Sequence, residues 1–126
     1  MLKIDILKDD FTVCKLKELP EKQIGEKFCF LSVTDSEISL ACPTRLVPEN
    51  TEAREDGWRG FRICGTLDFS LIGILAGISG RLAKEKISVF ALSTYDTDYI
   101  FTKSDTFSAA IKTLSDNGYT INNTEI

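Results

Sequence analysis

The chain has 126 residues, 43% of them hydrophobic, with a net charge of −4 and a pI near 4.8. This length suits one ordinary domain or two small ones, and the acidic balance disfavours nucleic-acid binding because the phosphate backbone repels it. No apolar stretch approaches the roughly 18 residues of a membrane helix, and the N-terminus lacks a signal peptide's apolar segment. We therefore expect neither a nucleic-acid partner nor a membrane partner.

Histidine is absent and four cysteines are present, at Cys14, Cys29, Cys42 and Cys64. The missing histidine removes the commonest general base and the commonest metal ligand. No two cysteines form a C-x-x-C pair, and each has apolar or strand-forming neighbours. The pattern is typical of small buried thiols kept reduced in a cytosol, so we expect a cytoplasmic protein with no metal and no cofactor.

The first half of the chain reads as short strands with weak helices. The polar segment 18–27 contains Pro20 and Gly25 and is too broken for a long helix. The segment 43–57 is acidic and is expected to be mainly a surface loop, with room for a short helical turn. Apolar and strand-forming runs predict strands at 3–7, 11–17, 28–33 and 37–41.

The second half shows two helical periods between strands. A strand is predicted at 60–65, extending back to Trp58, and strands follow at 87–94, 99–102 and 119–122. The strand at 87–94 is apolar on both faces, which predicts burial on both faces. One helix presents Leu71, Leu75, Ile78 and Leu82 behind an N-cap at Ser70. The other presents Phe107, Ala110, Ile111 and Leu114 behind Ser104 and stops at Asn117–Gly118.

From Trp58 onward, the order of elements is βαββαβ, the ferredoxin-like arrangement. This order predicts an α+β fold in which two helices cover one face of an antiparallel sheet. The first half has strands in a similar order but only weak helices, so it is interpreted as a degenerate copy of the same unit. We place an N-terminal module at 1–57 and a C-terminal module at 58–126.

Each glycine in the first predicted helix destabilises the helix by roughly 1 kcal/mol relative to alanine. Gly77 and Gly80 favour close packing, whereas at Gly73 close packing and the approach of a ligand to the backbone are equally good explanations. The first N–H groups of a helix have no internal partner and favour an anion. Amides at Ile72 and Gly73 are therefore candidates to hold a carboxylate.

A polar turn follows the strand at 87–94 and contains Asp96 and Asp98. Either aspartate can hold an ammonium or guanidinium group, and together with the helix start it would suit a free amino acid. The alternative is an ordinary hairpin turn, in which Asp and Thr serve the local backbone.

Two segments, Gly65–Leu75 and Ile87–Ile100, with the string Ser-Thr-Tyr-Asp-Thr-Asp-Tyr in the second, resemble the CASTOR-type ACT domains. These are small ACT-domain proteins related to the eukaryotic cytosolic arginine sensor. The resemblance extends to Thr12–Leu16 and Gly57–Arg62. It implies tandem ACT modules, a homodimer, and a regulatory role in which an amino acid binds where modules meet. The ligand-binding residues that it implies are Phe69, Ser70, Leu71, Ile72 and Gly73 on the loop and Thr94, Asp96, Thr97 and Asp98 on the turn.

The main alternative to an amino-acid-binding regulatory module is a structural or protein-interaction dimer with no small-molecule ligand. An enzyme would need Cys14 or Cys64 as a nucleophile, or Asp96 with Asp98 as an acid–base pair, and no histidine is present to activate a thiol. An RNA-binding sheet is disfavoured because Arg59 and Phe61 alternate onto the face opposite Trp58 and Arg62. We therefore expect a non-catalytic protein.

Overall fold

The computed structural model describes residues 2–64 and 73–126. Two α-helices lie in these ranges, α1 (Ile74–Lys84) and α2 (Ser104–Asp116), and a short 3-10 turn lies at Thr44–Leu46. Neither helix is long and apolar enough to cross a membrane. The strands of the described residues are β1 (Lys3–Ile6), β2 (Phe11–Leu16), β3 (Phe30–Val33), β4 (Ile38–Pro43), β5 (Thr51–Ile63), β6 (Val89–Ser93), β7 (Asp98–Lys103) and β8 (Thr120–Ile121).

The chain divides into two compact units. The N-terminal unit is Asp9–Trp58, and the C-terminal unit is Met1–Lys8 together with Arg59–Ile126. The long strand β5 contributes its first part to the former and its last part to the latter. The modules predicted at 1–57 and 58–126 place the division one residue away in β5 but assign β1 to the other module.

The C-terminal unit has the expected α+β architecture. Its strands follow the order β6-β7-β5-β1-β8, with β1 antiparallel to β5 and parallel to β8. Without β1, the elements β5, α1, β6, β7, α2 and β8 give the order βαββαβ, so the predicted ferredoxin-like class is confirmed. The N-terminal strand β1 is inserted between the first and last strands of that series, which the sequence did not predict.

The core of the C-terminal unit lies between its sheet and its helices. Ile4, Phe61, Ile63 and Ile100 contribute from the strands. The helical residues at 3.6-residue spacing that complete this core are Ile78, Leu82, Phe107, Ala110 and Leu114. Burial of these apolar side chains is the main force holding the two helices to the sheet.

The N-terminal unit, all of whose residues are described, contains four strands in the order β3-β4-β2-β5 and no α-helix. Its small core contains Cys14, Leu16, Leu40 and Cys42. The equivalent order in the C-terminal unit is β6-β7-β5-β1, so each unit has a hairpin whose second strand pairs with an earlier strand. The unit is therefore a reduced version of the same sheet.

Several sequence-based expectations were wrong. Residues 43–57 are not mainly a loop, because β5 begins at Thr51 and its first part is an exposed strand. β6 is half-exposed rather than buried on both faces. Helix α2 has Lys103, not Ser104, as its N-cap. Helix α1 begins at Ile74 after Gly73, while the predicted cap at Ser70 lies outside the described residues.

Candidate functional site

The predicted turn residues Thr94, Asp96, Thr97 and Asp98 lie together between β6 and β7. The backbone N–H of Thr94 donates to the carbonyl of Thr97 at 2.9 Å, and the Thr94 hydroxyl donates to the same carbonyl at 3.0 Å. At the base of the turn, the Ser93 hydroxyl donates to Asp98 Oδ1 at 2.5 Å. Thr94 and Asp98 therefore both serve the local structure, whereas Asp96 lies exposed at the tip.

Thr97 joins this turn to the end of β5. Its side chain is buried, and its hydroxyl donates to the carbonyl of Ile63 at 2.8 Å. Ile63 is the last residue of β5, two positions before residue 65. The hydrogen bond thus places the turn beside the point from which the chain continues toward the predicted binding loop.

The predicted loop residues Phe69, Ser70, Leu71 and Ile72 lie outside the described residues. Gly73 is described, and it is the N-cap of α1 with a φ of 80°, in the left-handed region. A residue with a side chain is strained in this conformation, so the backbone itself requires glycine here. This conformational requirement is a third explanation for Gly73, besides close packing and the approach of a ligand to the backbone.

The turn of the N-terminal unit has the same construction. In the segment between β3 and β4, the backbone N–H of Thr34 donates to the carbonyl of Glu37 at 3.0 Å, as Thr94 does to Thr97. This turn also carries an exposed aspartate, Asp35, one position before Ser36, which occupies the place that matches Asp96. The two turns are therefore equivalent places in the two units, and they provide a matched pair for mutagenesis.

A polar network near the end of β5 was missed by the sequence analysis. Asp5 accepts hydrogen bonds from Asn122 Nδ2 at 2.7 Å and from Arg62 Nε at 3.2 Å. Arg62 Nη1 donates to the Tyr99 hydroxyl at 3.3 Å. Burial alone raises the pKa of Asp5, but the hydrogen bonds from Asn122, Cys64 and Arg62 outweigh it and leave the pKa below its ordinary value. No local motif could reveal this network because its members are scattered along the chain.

The thiols considered as nucleophiles are in unfavourable surroundings. Burial raises the pKa of the Cys14 and Cys64 thiols, so a smaller fraction of each is thiolate at neutral pH. All four cysteines are free. In the part of the chain that the structure describes, no group of three or more Cys, Asp or Glu side chains is arranged to hold a metal ion.

Comparisons with known proteins agree with this architecture. A family model described as "ACT domain" matches residues 53–116. A structure from Agrobacterium tumefaciens is similar at 23% identity with a TM-score of 0.85, covering 99% of this chain and 96% of that one. A Vibrio cholerae protein of unknown function, titled a possible transport protein, is similar at 14% identity with a TM-score of 0.71, covering 91% and 88%.

The regulatory subunit of aspartate kinase from Thermus thermophilus, in its ligand-free form, has a similar fold. Its identity to this chain is 10% and the TM-score is 0.62, with 90% of this chain and 95% of that one covered. The search of curated proteins finds no match. Identities this low show a shared fold and nothing finer.

Proposed function

Because the chain belongs to the ACT domain family, we propose that it is a non-catalytic regulatory module that binds a free amino acid. The carrying observation is that the match over residues 53–116 spans both candidate elements, the β6–β7 turn and the start of α1. The aspartate kinase regulatory subunit of similar fold supports the regulatory role by analogy. The binding of an amino acid rests on the local chemistry of the turn and the helix start.

In this proposal the two ends of the amino acid meet two different parts of the site. Backbone amides at Ile72 and at Gly73, the N-cap of α1, hold the carboxylate beside the first turn of the helix, whose unpaired N–H groups favour an anion. The ammonium group meets Asp96, which is exposed at the tip, rather than Asp98, which already accepts a hydrogen bond from Ser93. The contact of Thr97 with Ile63 supports this arrangement because it holds the turn beside the end of β5.

We further propose the finer identity suggested by the sequence, a CASTOR-type tandem ACT protein that works as a cytoplasmic homodimer. Two units of similar strand order support the tandem reading. Strand β6 is apolar but half-exposed, which suits a second copy of the chain. A ligand held between modules or chains would shift the assembly equilibrium toward the form that binds it more tightly.

The alternative is a structural or protein-interaction dimer that binds no small molecule. Exposed apolar residues of another strand favour it: Leu31 and Val33 of β3 are 39% and 60% exposed and need no ligand to form an interface. Such a protein would dimerise but would be stabilised by no amino acid.

A thermal-shift panel of the common amino acids separates these functions. A ligand at about 100 times its dissociation constant stabilises the folded state by roughly 2.7 kcal/mol. We expect one or a few amino acids to raise the melting temperature of the wild-type protein. Asp96→Asn should remove this shift without lowering the melting temperature of the unliganded protein. Asp35→Asn, in the equivalent turn of the other unit, should leave the shift intact.

Two outcomes would contradict the proposal. If no amino acid stabilises the wild-type protein, the structural alternative holds. If Asp96→Asn and Asp35→Asn both respond like the wild type, the charge at the tip of the β6–β7 turn plays no part in binding.

A further inference from the structure

A separate cleft lies in the C-terminal unit, between the outer face of α2 and the strands β1 and β8. Its volume is about 540 Å³, within the range of small-molecule sites. It includes none of the residues assigned above to the amino-acid site. The residues that line it are Ile6, Arg59, Phe107, Ser108, Ile111, Lys112, Ser115, Asp116, Ile121 and Glu125.

Arg59 is one of two cations that line this cleft, and its neighbours hold it in a fixed position. Its guanidinium carbon lies 4.8 Å from the centre of the Phe107 ring, and its Nη2 donates to the carbonyl of Leu7 at 3.1 Å. Its contact with Glu125 is long, at 3.5 Å, and the Glu125 side chain is half-exposed. The guanidinium is therefore oriented by its neighbours before any ligand arrives.

The Nε–H donor of that guanidinium is not used in these contacts. Nε of Arg59 is buried and has no hydrogen-bond partner among the described residues. A buried donor without an acceptor is unfavourable, and such groups are rare in folded proteins. A carboxylate can accept from Nε and a terminal nitrogen of arginine together, in two parallel hydrogen bonds.

The floor of the cleft is apolar, whereas serines and charged side chains form much of its rim. Ile6, Ile111 and Ile121 are partly buried and pack against the core of the unit. At the rim, Lys112 and Asp116 pair with each other at 2.8 Å, so the charge of Lys112 is already compensated. Arg59 is consequently the cation best placed to receive an anion, above an aliphatic floor.

The geometry points to a second binding site in this cleft, for a small carboxylic acid with an apolar body, bound through Arg59. Displacement of the half-exposed Glu125 side chain opens the edge of the guanidinium, where the ligand carboxylate accepts from Nε and Nη2. The hydrocarbon of the ligand covers the three isoleucines. The site is distinct from the amino-acid site of the proposed function, and it needs no ammonium group on the ligand.

The test is an NMR titration of the full chain with 4-methylpentanoate, a branched carboxylate without an amine. We expect the amide signals of Ser108, Lys112 and Ser115 to move, and 4-methylpentan-1-ol, which has the same body without the charge, to move them far less. Arg59→Gln should weaken binding by about tenfold or more. Arg81→Gln, at an exposed arginine of α1 that does not line the cleft, should bind as the wild type does.

A second variant tests the cleft without touching Arg59. Ser115 is exposed on α2, so Ser115→Trp should fold normally while its indole closes the cleft and abolishes binding. The site is refuted if the carboxylate moves none of these signals, if the alcohol binds equally well, or if both variants bind like the wild type. Asp96→Asn should leave this titration unchanged, so failure at either site is recognised separately.

Discussion

Substituting Gly60 with alanine tests the packing of the C-terminal unit directly. A Cβ atom at this position of β5 would lie 2.5 and 2.6 Å from two ring carbons of Phe101 and 3.3 Å from Leu7 Cδ1. Phe101 is fully buried, and its ring stacks on Phe90 with centroids 4.7 Å apart. Carbon atoms prefer separations of about 3.5–4 Å, so the ring must shift by roughly 1 Å within a closed environment.

The expected cost follows from this overlap. Inserting a methyl group into a packed core costs about 1–3 kcal/mol, and replacing glycine within a strand returns about 0.5–1 kcal/mol of it. The two ranges combine to about 0–2.5 kcal/mol, and because the Phe101 ring is enclosed we expect Gly60→Ala to lower the free energy of unfolding by roughly 1 kcal/mol or more. With an m-value of roughly 2 kcal/mol/M, the urea midpoint should fall by about 0.5 M or more.

Gly80→Ala is the matched control. Gly80 is exposed in α1, and no atom of the described residues would lie within 4 Å of its new Cβ. Alanine is favoured over glycine in a helix by up to about 1 kcal/mol, so this variant should raise the urea midpoint. The reasoning is refuted if Gly80→Ala stabilises the protein and Gly60→Ala leaves the midpoint unchanged at equal m-values, because the Phe101 ring would then not restrict Gly60.

Three further outcomes follow from single contacts. Thr97→Val should lower the free energy of unfolding by about 1 kcal/mol in urea titrations, because it removes the hydrogen bond from the Thr97 hydroxyl to the carbonyl of Ile63. Asn122→Ala should raise the pKa of Asp5 toward its ordinary value, as a carboxyl-carbon NMR titration would report. The depressed pKa stabilises the fold above the unfolded pKa and this stability is lost as pH falls through the folded pKa, so the variant should lose it at higher pH. Burial raises the pKa of Cys42 to about 12, so iodoacetamide at pH 8.5 should label this thiol only after unfolding; labelling of the native protein would contradict its burial.

The helices were predictable where the signal was local. The spacing of Phe107, Ala110 and Leu114 gave one face of α2, and all three side chains are buried. The helix ends as Asn117 and Gly118 indicate, and Gly118 takes a φ of 93°. A helix start is harder to predict: α1 begins after a left-handed Gly73, and the N-cap of α2 is Lys103 rather than the expected Ser104.

Strands and their burial were predicted wrongly where the hydrophobic pattern of the sequence and the observed burial disagree. The first part of β5 is acidic and exposed, so it lacks the alternation that identifies a half-buried strand. β3 and β6 are apolar yet partly exposed, and each is the terminal strand in the order of its unit. An apolar pattern indicates that burial would stabilise a strand, but it does not indicate whether the burying surface belongs to the same chain.

In the candidate site, too, local features could be predicted from the sequence and long-range contacts could not. The turn from Thr94 to Asp98 could be predicted because its residues are consecutive, and one hairpin positions them all. The contact of Thr97 with Ile63 and the network around Asp5 join residues from distant parts of the sequence, so only the fold brings them together. Arg59 illustrates the same difficulty, since its position on β5 gave no sign of the cleft formed by α2 and β8.

Strand β1 explains why the division of the chain could not be read in sequence order. Ile4 pairs with Ile63 on one side and with Ile121 on the other, so this short strand connects the two ends of the βαββαβ series. The N-terminal unit fills the equivalent position with the first part of β5. Each unit therefore fills the fourth position of its strand order, counted from its hairpin, with a segment that lies next to the other unit in sequence.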